Sequence, residues 1–324
     1  MEKVMNHRTL CEIDRRIPDA LRLAFGIRPR RALPPSEHDE VARFAAALLP
    51  PAPRDDEDAE PPAPPAPAPQ QGEEPRLRME FDLCYLKDHD EDASFGHAEA
   101  GVVGVADGVG GYRGAGVDAG AFARGLMRSA FREALEAPPG TPVCPRTLLE
   151  LAYDRTAALG VPAASTAAVL SLAGGALRWA YVGDSGFAVF RGGRLLRRST
   201  RQQHRFNCPL QLSAAAAGGG GTTVADAEVG EVPARAGDVV VVGTDGLFDN
   251  VADDELGRIV RMGTAMGFSP LNMADVVAAF AHEAARCRYR DTPYSVEKRK
   301  HHGTAATGGK PDDITVIVAF IVSS

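Results

Sequence analysis

Between residues 166 and 197 the chain leaves room for little except an antiparallel arrangement. Residues 166–172, 176–182, 187–190 and 194–197 are short strand-like runs, and Gly174-Gly175 and Gly192-Gly193 punctuate them. Tight hairpin turns need positive φ values, which glycine reaches at little cost. Parallel neighbours would need helical crossovers of about a dozen residues, and none fits between these runs. The segment therefore reads as an antiparallel meander.

Periodicity supplies the rest of the outline. Residues 102–106 (VVGVA) are a short apolar strand entering the glycine-rich turn DGVGG. From 114 to 136, Phe122, Leu126 and Ala130 recur at intervals of four while Met127, Phe131 and Leu135 widen the stripe. That pattern predicts a helix, which Pro138 and Pro139 stop. Helices are also expected over 146–159, 253–266 and 272–288, and buried strands over 238–244 and 314–321. An antiparallel sheet this extensive needs cover for its apolar face, and the helices come in pairs. The expected fold class is α+β, a four-layer sandwich of two stacked antiparallel sheets flanked by helices.

Composition divides the chain. Residues 50–75 are almost all proline, alanine and acid, which favours extended polyproline II and buries little apolar surface, so they read as a linker. Residues 1–49 read as a variable N-terminal tail with a short helix near 39–49, and 76–324 as one domain of catalytic size. Arg22, Arg28, Arg30 and Arg31 lie together without an acid between them, whereas Glu2, Glu12, Asp14 and Asp19 weigh against a transit segment. The compartment stays open between cytoplasm or nucleus and plastid or mitochondrion. Acids outnumber bases by 43 to 36, a net charge of -7, which gives no overall nucleic-acid footprint. The 5 cysteines contain no C-x-x-C pair, against a disulfide scaffold or a thiolate zinc site. The apolar runs are of strand length, so no membrane span is expected. The charged stretch EKRKHHG around His301-His302 reads as a mobile surface loop.

The chemistry is concentrated in acids beside strands: Glu91-Asp92 in HDEDASF, Asp107 in VADGVGG, Asp245 in GTDGLFDN and Asp312-Asp313 in KPDDITVIV. A lone aspartate at a strand end is usually a turn or cap residue. Here two apolar strands both exit in Asp-Gly, and an Asp pair precedes a third. If those ends meet, like charges 4 Å apart would repel by about 4 kcal/mol per pair at an intermediate dielectric. Divalent cations remove that penalty. Oxygen-only ligation favours Mg²⁺ or Mn²⁺ over zinc. Two such ions suit hydrolysis, since they acidify a shared water and clamp phosphoryl oxygens.

These motifs resemble the metal-dependent protein serine/threonine phosphatases of the type 2C family, in its compact branch. The resemblance spans roughly residues 80–322, through EDASF, VADGVGG, ASTAAVLSL, YVGDSG, TRQQHRFNCPLQL, GTDGLFDNV and KPDDITVIV in that order. It implies that Asp107 bridges at least two ions of Mg²⁺ or Mn²⁺, that the Gly108 carbonyl completes one shell, and that Asp245 and Asp312 are the other direct carboxylates. Glu91 would touch metal largely through water, and Asp92 would orient coordinated water. Residues 76–324 would then be the phosphatase catalytic domain.

Two departures stand out. Where the family often has histidine after Asp-Gly, this chain has Val109, which cannot transfer a proton. Lys87 stands where many members have a phosphate-binding arginine, four residues before Glu91; it brings charge without the bidentate fork. Asp184-Ser185 is expected to tie a turn beside the site, and His204 to support it through a hydrogen bond. The expected activity is hydrolysis of phosphoserine and phosphothreonine in protein substrates by direct attack of metal-bridging water, in a monomer. A small-molecule phosphomonoesterase and an inactive, protein-binding scaffold are the alternatives.

Overall fold

The computed structural model describes residues 9, 12, 17, 19–25, 27–28, 76–138, 140–214 and 221–324. The helix expected at 39–49, the 50–75 linker and most of the 214–221 loop lie outside them. In chain order the first elements are α1 (Asp19–Ala24), β1 (Leu77–Leu86), β2 (Asp92–His97), β3 (Val102–Asp107), α2 (Ala121–Glu136), α3 (Pro145–Ala157), β4 (Ala164–Ser165), β5 (Ala167–Ala173), β6 (Ala176–Val182), β7 (Gly186–Arg191) and β8 (Arg194–Arg198). There follow β9 (Gln203–Arg205), β10 (Cys208–Pro209), β11 (Leu212–Ser213), β12 (Glu228–Pro233), β13 (Val239–Gly243), α4 (Asp245–Phe248), α5 (Asp253–Ala265), α6 (Pro270–Arg286), α7 (Pro293–His302) and β14 (Ile314–Ser323).

Two 5-stranded antiparallel sheets, β1-β14-β13-β7-β8 and β12-β6-β5-β3-β2, stack on each other. The period of two along each strand decides which side chains meet between them. Val103 and Val105 of β3, Val240 and Val242 of β13, and Ile317, Ala319 and Ile321 of β14 belong to one buried cluster with Trp179 and Phe187. The intervening residues face the helices. Val102 and Ala106 pack with Phe122 and Leu126 of α2 and Leu149 of α3, while Val239, Val241 and Val316 pack with Ile259 of α5 and Phe280 of α6. The four-layer α+β sandwich is therefore what the chain adopts. No helix among the described residues is long and apolar enough to cross a membrane.

The same parity sets up the functional end. Asp107 continues the face of Val103 and Val105, and Thr244 and Thr315 continue the faces of Val242 and Ile317. Polar side chains thus cap one rim of the apolar space between the sheets.

Some boundaries differ from the sequence reading. The helix expected from 114 starts at Ala121, because Gly110–Ala115 wind as a 3-10 turn closed by Gly116 at φ 71°. Strand β1 was not anticipated, although its Leu77, Met79, Phe81, Leu83 and Tyr85 alternate; nor was the half-exposed edge strand β12, whose alternation is weakly apolar. The stretch read as a mobile loop at 301–302 ends helix α7. Thr292 caps it by accepting a hydrogen bond from the Ser295 amide, Pro293 opens it and Gly303 closes it in the left-handed region. Phe206 stacks on His301 and packs near Tyr294.

Residues from the N-terminal stretch join the core. Ile17, Phe25 and Ile27 are buried in the cluster of α5 and α6, Phe25 lies against Phe268, and the Arg258 guanidinium donates to the Ala24 carbonyl. Phe25→Ala is expected to cost about 3–4 kcal/mol, by lost transfer energy plus a cavity. Urea unfolding measures it, and a loss under 1 kcal/mol would mean that this segment does not contribute to global stability.

Candidate metal centre

Antiparallel pairing first brings Asp92 opposite Asp107, since the β2–β3 register matches them directly. Asp92 is only 1% exposed, and its Oδ2 accepts hydrogen bonds from Thr244 Oγ1 and Thr315 Oγ1, both at 2.7 Å. These hydroxyls come from the opposite sheet, so Asp92 joins the two layers. Its Oδ1 is buried and has no partner. The Asp107 amide donates to Thr166 Oγ1 at 3.2 Å, and Thr166 Oγ1 in turn shares a 2.7 Å hydrogen bond with Ser185 Oγ. Ser185 is thereby a tie between strands.

Asp245 is delivered by a different device. The α4 turn lies directly on the Asp313 carbonyl: a Cβ on Gly246 would stand 1.9 Å from that oxygen, so only glycine permits the approach. The contact places Asp245 beside Asp312. Burial pushes the Asp245 carboxyl up, but the Lys310 ammonium and Arg201 outweigh it and hold it below the usual carboxylate range. Its Oδ1 is nonetheless buried, with no hydrogen bond of ordinary geometry among the described residues.

Asp92, Asp107, Asp184, Asp245 and Asp312 lie within one another's electrostatic field. Burial and the charges of Asp245, Asp92, Asp312 and Asp184 push the Asp107 carboxyl well above the usual range. Burial, Asp313 and Asp312 do the same to Asp92, against its two threonine hydrogen bonds. Asp312 is raised by burial and Asp245, with Lys310 opposing. Asp184, whose Oδ2 accepts from Gln203 Nε2 at 2.8 Å, is pushed up to about 7 by burial and by Asp245 and Asp249. Such a set of hard oxygen donors, with buried oxygens of Asp92, Asp184 and Asp245 left unpartnered, is chemically suited to divalent cations. Among the described residues no three His, Cys, Asp or Glu side chains are already drawn around one point. Instead Lys310 Nζ stands among them, paired with Asp245, with Asp312 at 3.1 Å and with Asp249 at 3.2 Å.

The remaining expected residues fall around this cluster. Glu91 is buried, with its Oε1 2.7 Å from Arg113 Nε, and the Gly108 amide donates to the Glu91 carbonyl at 3.0 Å. Asp313 is not among the open carboxylates. Its oxygens accept from the backbone amides of Asp88, His89 (2.7 Å), Asp90 (3.2 Å) and Glu91 (2.6 Å), curling that loop around it with Asp90 at φ 71°. Lys87 pairs with Asp90 at 3.0 Å, both half-exposed. His204 is exposed and has no side-chain hydrogen bond among the described residues, so the supporting bond expected of it is not made.

Sequence reasoning missed Lys310, Asp249, Arg113 and the two threonines. Asp249 was the most accessible of these, because it follows Asp245 by four residues and so shares its helical face. Lys310 stands two residues before Asp312 without any periodic signal.

A family model described as Stage II sporulation protein E (SpoIIE) matches residues 102–321. Putative protein phosphatase 2C 24 of Oryza sativa subsp. japonica is 52% identical, over 97% of this chain and 97% of its own length. Among solved structures, the photosystem II phosphatase PBCP superposes with a TM-score of 0.64 at 30% identity, covering 76% of this chain and 98% of that one. The catalytic domain of the serine/threonine protein phosphatase PstP, in complex with 2 manganese ions, superposes with a TM-score of 0.53 at 18% identity. It covers 76% of this chain and 100% of that one, a likeness of fold.

Asp313 yields a pH-dependent prediction. Burial raises its carboxyl, but the four amides outweigh burial and hold it below the usual range. A carboxyl depressed in the folded state stabilises above its unfolded pKa, about 3.9, and loses that contribution as pH falls through the folded value. Asp313→Ala is expected to lose about 3 kcal/mol at pH 7. In urea melts its deficit against wild type should shrink below about pH 4; a deficit independent of pH would contradict the assignment.

Proposed function

The chain belongs to the protein phosphatase 2C family, metal-dependent hydrolases of phosphoserine and phosphothreonine in proteins, and we propose that Asp107, Asp245 and Asp312 carry its reaction. One observation supports this above the others. Asp107 at the end of β3, Asp245 after β13 and Asp312 before β14 lie within one another's electrostatic field, and burial together with those charges pushes Asp107 well above the ordinary range. In this reading Asp107, the Gly108 carbonyl, Asp245 and Asp312 would hold at least two ions of Mg²⁺ or Mn²⁺. The manganese ions of the PstP catalytic domain are the precedent for the metal. When bound, such ions acidify water and neutralise phosphoryl oxygens.

The chain's own groups do the rest. Glu91, steadied by Arg113, and Asp92, fixed by Thr244 and Thr315, accept hydrogen bonds from water and so orient it toward phosphorus. Water displaces the serine or threonine oxygen in line, with no phosphoenzyme. Lys87 is the proposed phosphate contact: its exposed pair with Asp90 is of the kind worth about 0–1 kcal/mol, so it exchanges readily for a phosphoryl oxygen. Val109 cannot protonate the departing alkoxide, which leaves that proton to water.

The test is release of phosphate from a phosphothreonine peptide, with and without Mn²⁺. Wild type is expected to be active only with metal, and Asp245→Asn to lose about a hundredfold or more in kcat. A wild type inactive even with Mn²⁺ would instead favour a protein-binding scaffold. A preference for small phosphate esters over phosphopeptides would favour the small-molecule reading.

A further inference from the structure

Lys310 is placed too deliberately to be an incidental surface cation. Its side chain is 19% exposed, and both of its backbone groups are held by one residue. Its amide donates to Asn250 Oδ1 at 2.8 Å, and its carbonyl accepts from Asn250 Nδ2 at 2.8 Å. Asn250 Nδ2 also donates to the Gly246 carbonyl at 2.9 Å, so the turn that carries Asp245 and Asp249 also anchors Lys310. On one side, Gly309 packs so closely that a Cβ would lie 2.3 Å from the Ala284 carbonyl; on the other, Pro311 restricts the backbone.

From that anchor the ammonium meets three carboxylates, Asp245, Asp249 and Asp312, which matches its three N–H donors. The division of Asp245 is informative. Its Oδ2 takes Lys310, while its buried Oδ1, on the Asp107 side, has no hydrogen bond of ordinary geometry among the described residues. Asp184 lies within the field of Asp245, Asp249 and Lys310 and also has a buried, unpartnered Oδ1. Without Lys310, the carboxylates of Asp184, Asp245, Asp249 and Asp312 would form a second oxygen-donor group whose remaining cation is Arg201, ion-paired with Asp249 and within the field of Asp184 and Asp245.

We propose that Lys310 is a tethered cation that closes the Asp249 side of the cluster to divalent ions and confines them to the Asp107 side. This rests on the reading that Asp107, Asp245 and Asp312 hold metal. A lysine ammonium and a divalent ion compete for the same carboxylate oxygens, and the tether keeps the ammonium at the cluster at a high effective concentration against which a free ion must compete. Lys310 is here a positioning residue, setting where metal binds.

The experiment counts Mn²⁺ per chain by equilibrium dialysis and elemental analysis in wild type, Lys310→Met, Lys310→Arg and Lys310→Met/Asp249→Asn. Lys310→Met is expected to hold one more Mn²⁺ than wild type, Lys310→Arg the wild-type number, and the double variant to lose the added ion. Wild type that binds Mn²⁺ with an unchanged count in Lys310→Met overturns the proposal alone. Wild type that binds no Mn²⁺ overturns the metal-centre reading and the proposal with it. Should Lys310→Met fail to fold, Asp249→Asn in the wild-type background decides: an unchanged count supports the proposal, and a lost ion overturns it.

Discussion

Asp92 joins the two halves of the sandwich at the end where the chemistry lies. Its strand, β2, is the edge of one sheet, while Thr244 directly follows β13 and Thr315 is the second residue of β14 in the other. A carboxylate 1% exposed is costly to bury unless its oxygens are bonded. The two threonine hydroxyls at 2.7 Å stabilise one oxygen and fix the spacing of the sheets at that rim. Because Asp92 is directly opposite Asp107, the same bonds set where Asp107 stands relative to Asp245 and Asp312.

Stability and function are drawn from different parts of this architecture. Three apolar clusters, one between the sheets and one beneath each helical layer, carry the burial that holds the fold. The rim does the opposite: it gathers Asp92, Asp107, Asp184, Asp245, Asp249 and Asp312, and burial with neighbouring charge raises the proton affinity of Asp92, Asp107, Asp184 and Asp312, while Lys310 holds Asp245 low. Such a concentration is unfavourable by itself. It is tolerated because the charge is distributed: Asp313 to four backbone amides, Asp249 to Arg201 at 2.6 Å, Asp245 to Lys310. Local rules are broken where a protein has a use for breaking them.

Much of this plan was legible along the chain. The paired glycines placed the meander, and strand β6 occupies 176–182, the run expected after Gly174-Gly175. Helix α7 was read as a loop because its charged sequence carries no apolar stripe; its order comes from Thr292 and Gly303 at its ends. Strand β1 was overlooked although it alternates, its Phe81 and Leu83 packing between the sheets. The family resemblance points to Lys87, which lies half-exposed against Asp90, whereas the cation inside the cluster is Lys310.

The sequence by itself determined the alternation of the strands, the sites of the turns, the stripes of the helices and the supply of acids at strand ends. Each of these depends on local dihedral preference or on a period of two or 3.6 residues. Tertiary structure alone decided which oxygens were committed and which stayed open. The Thr244 and Thr315 hydroxyls reach Asp92 across 152 and 223 positions of chain, and the Asp313 amide partners lie as far as 225 away. No local pattern encodes contacts at such separations; they exist because stacking two twisted sheets brings strand ends from distant parts of the chain to one rim.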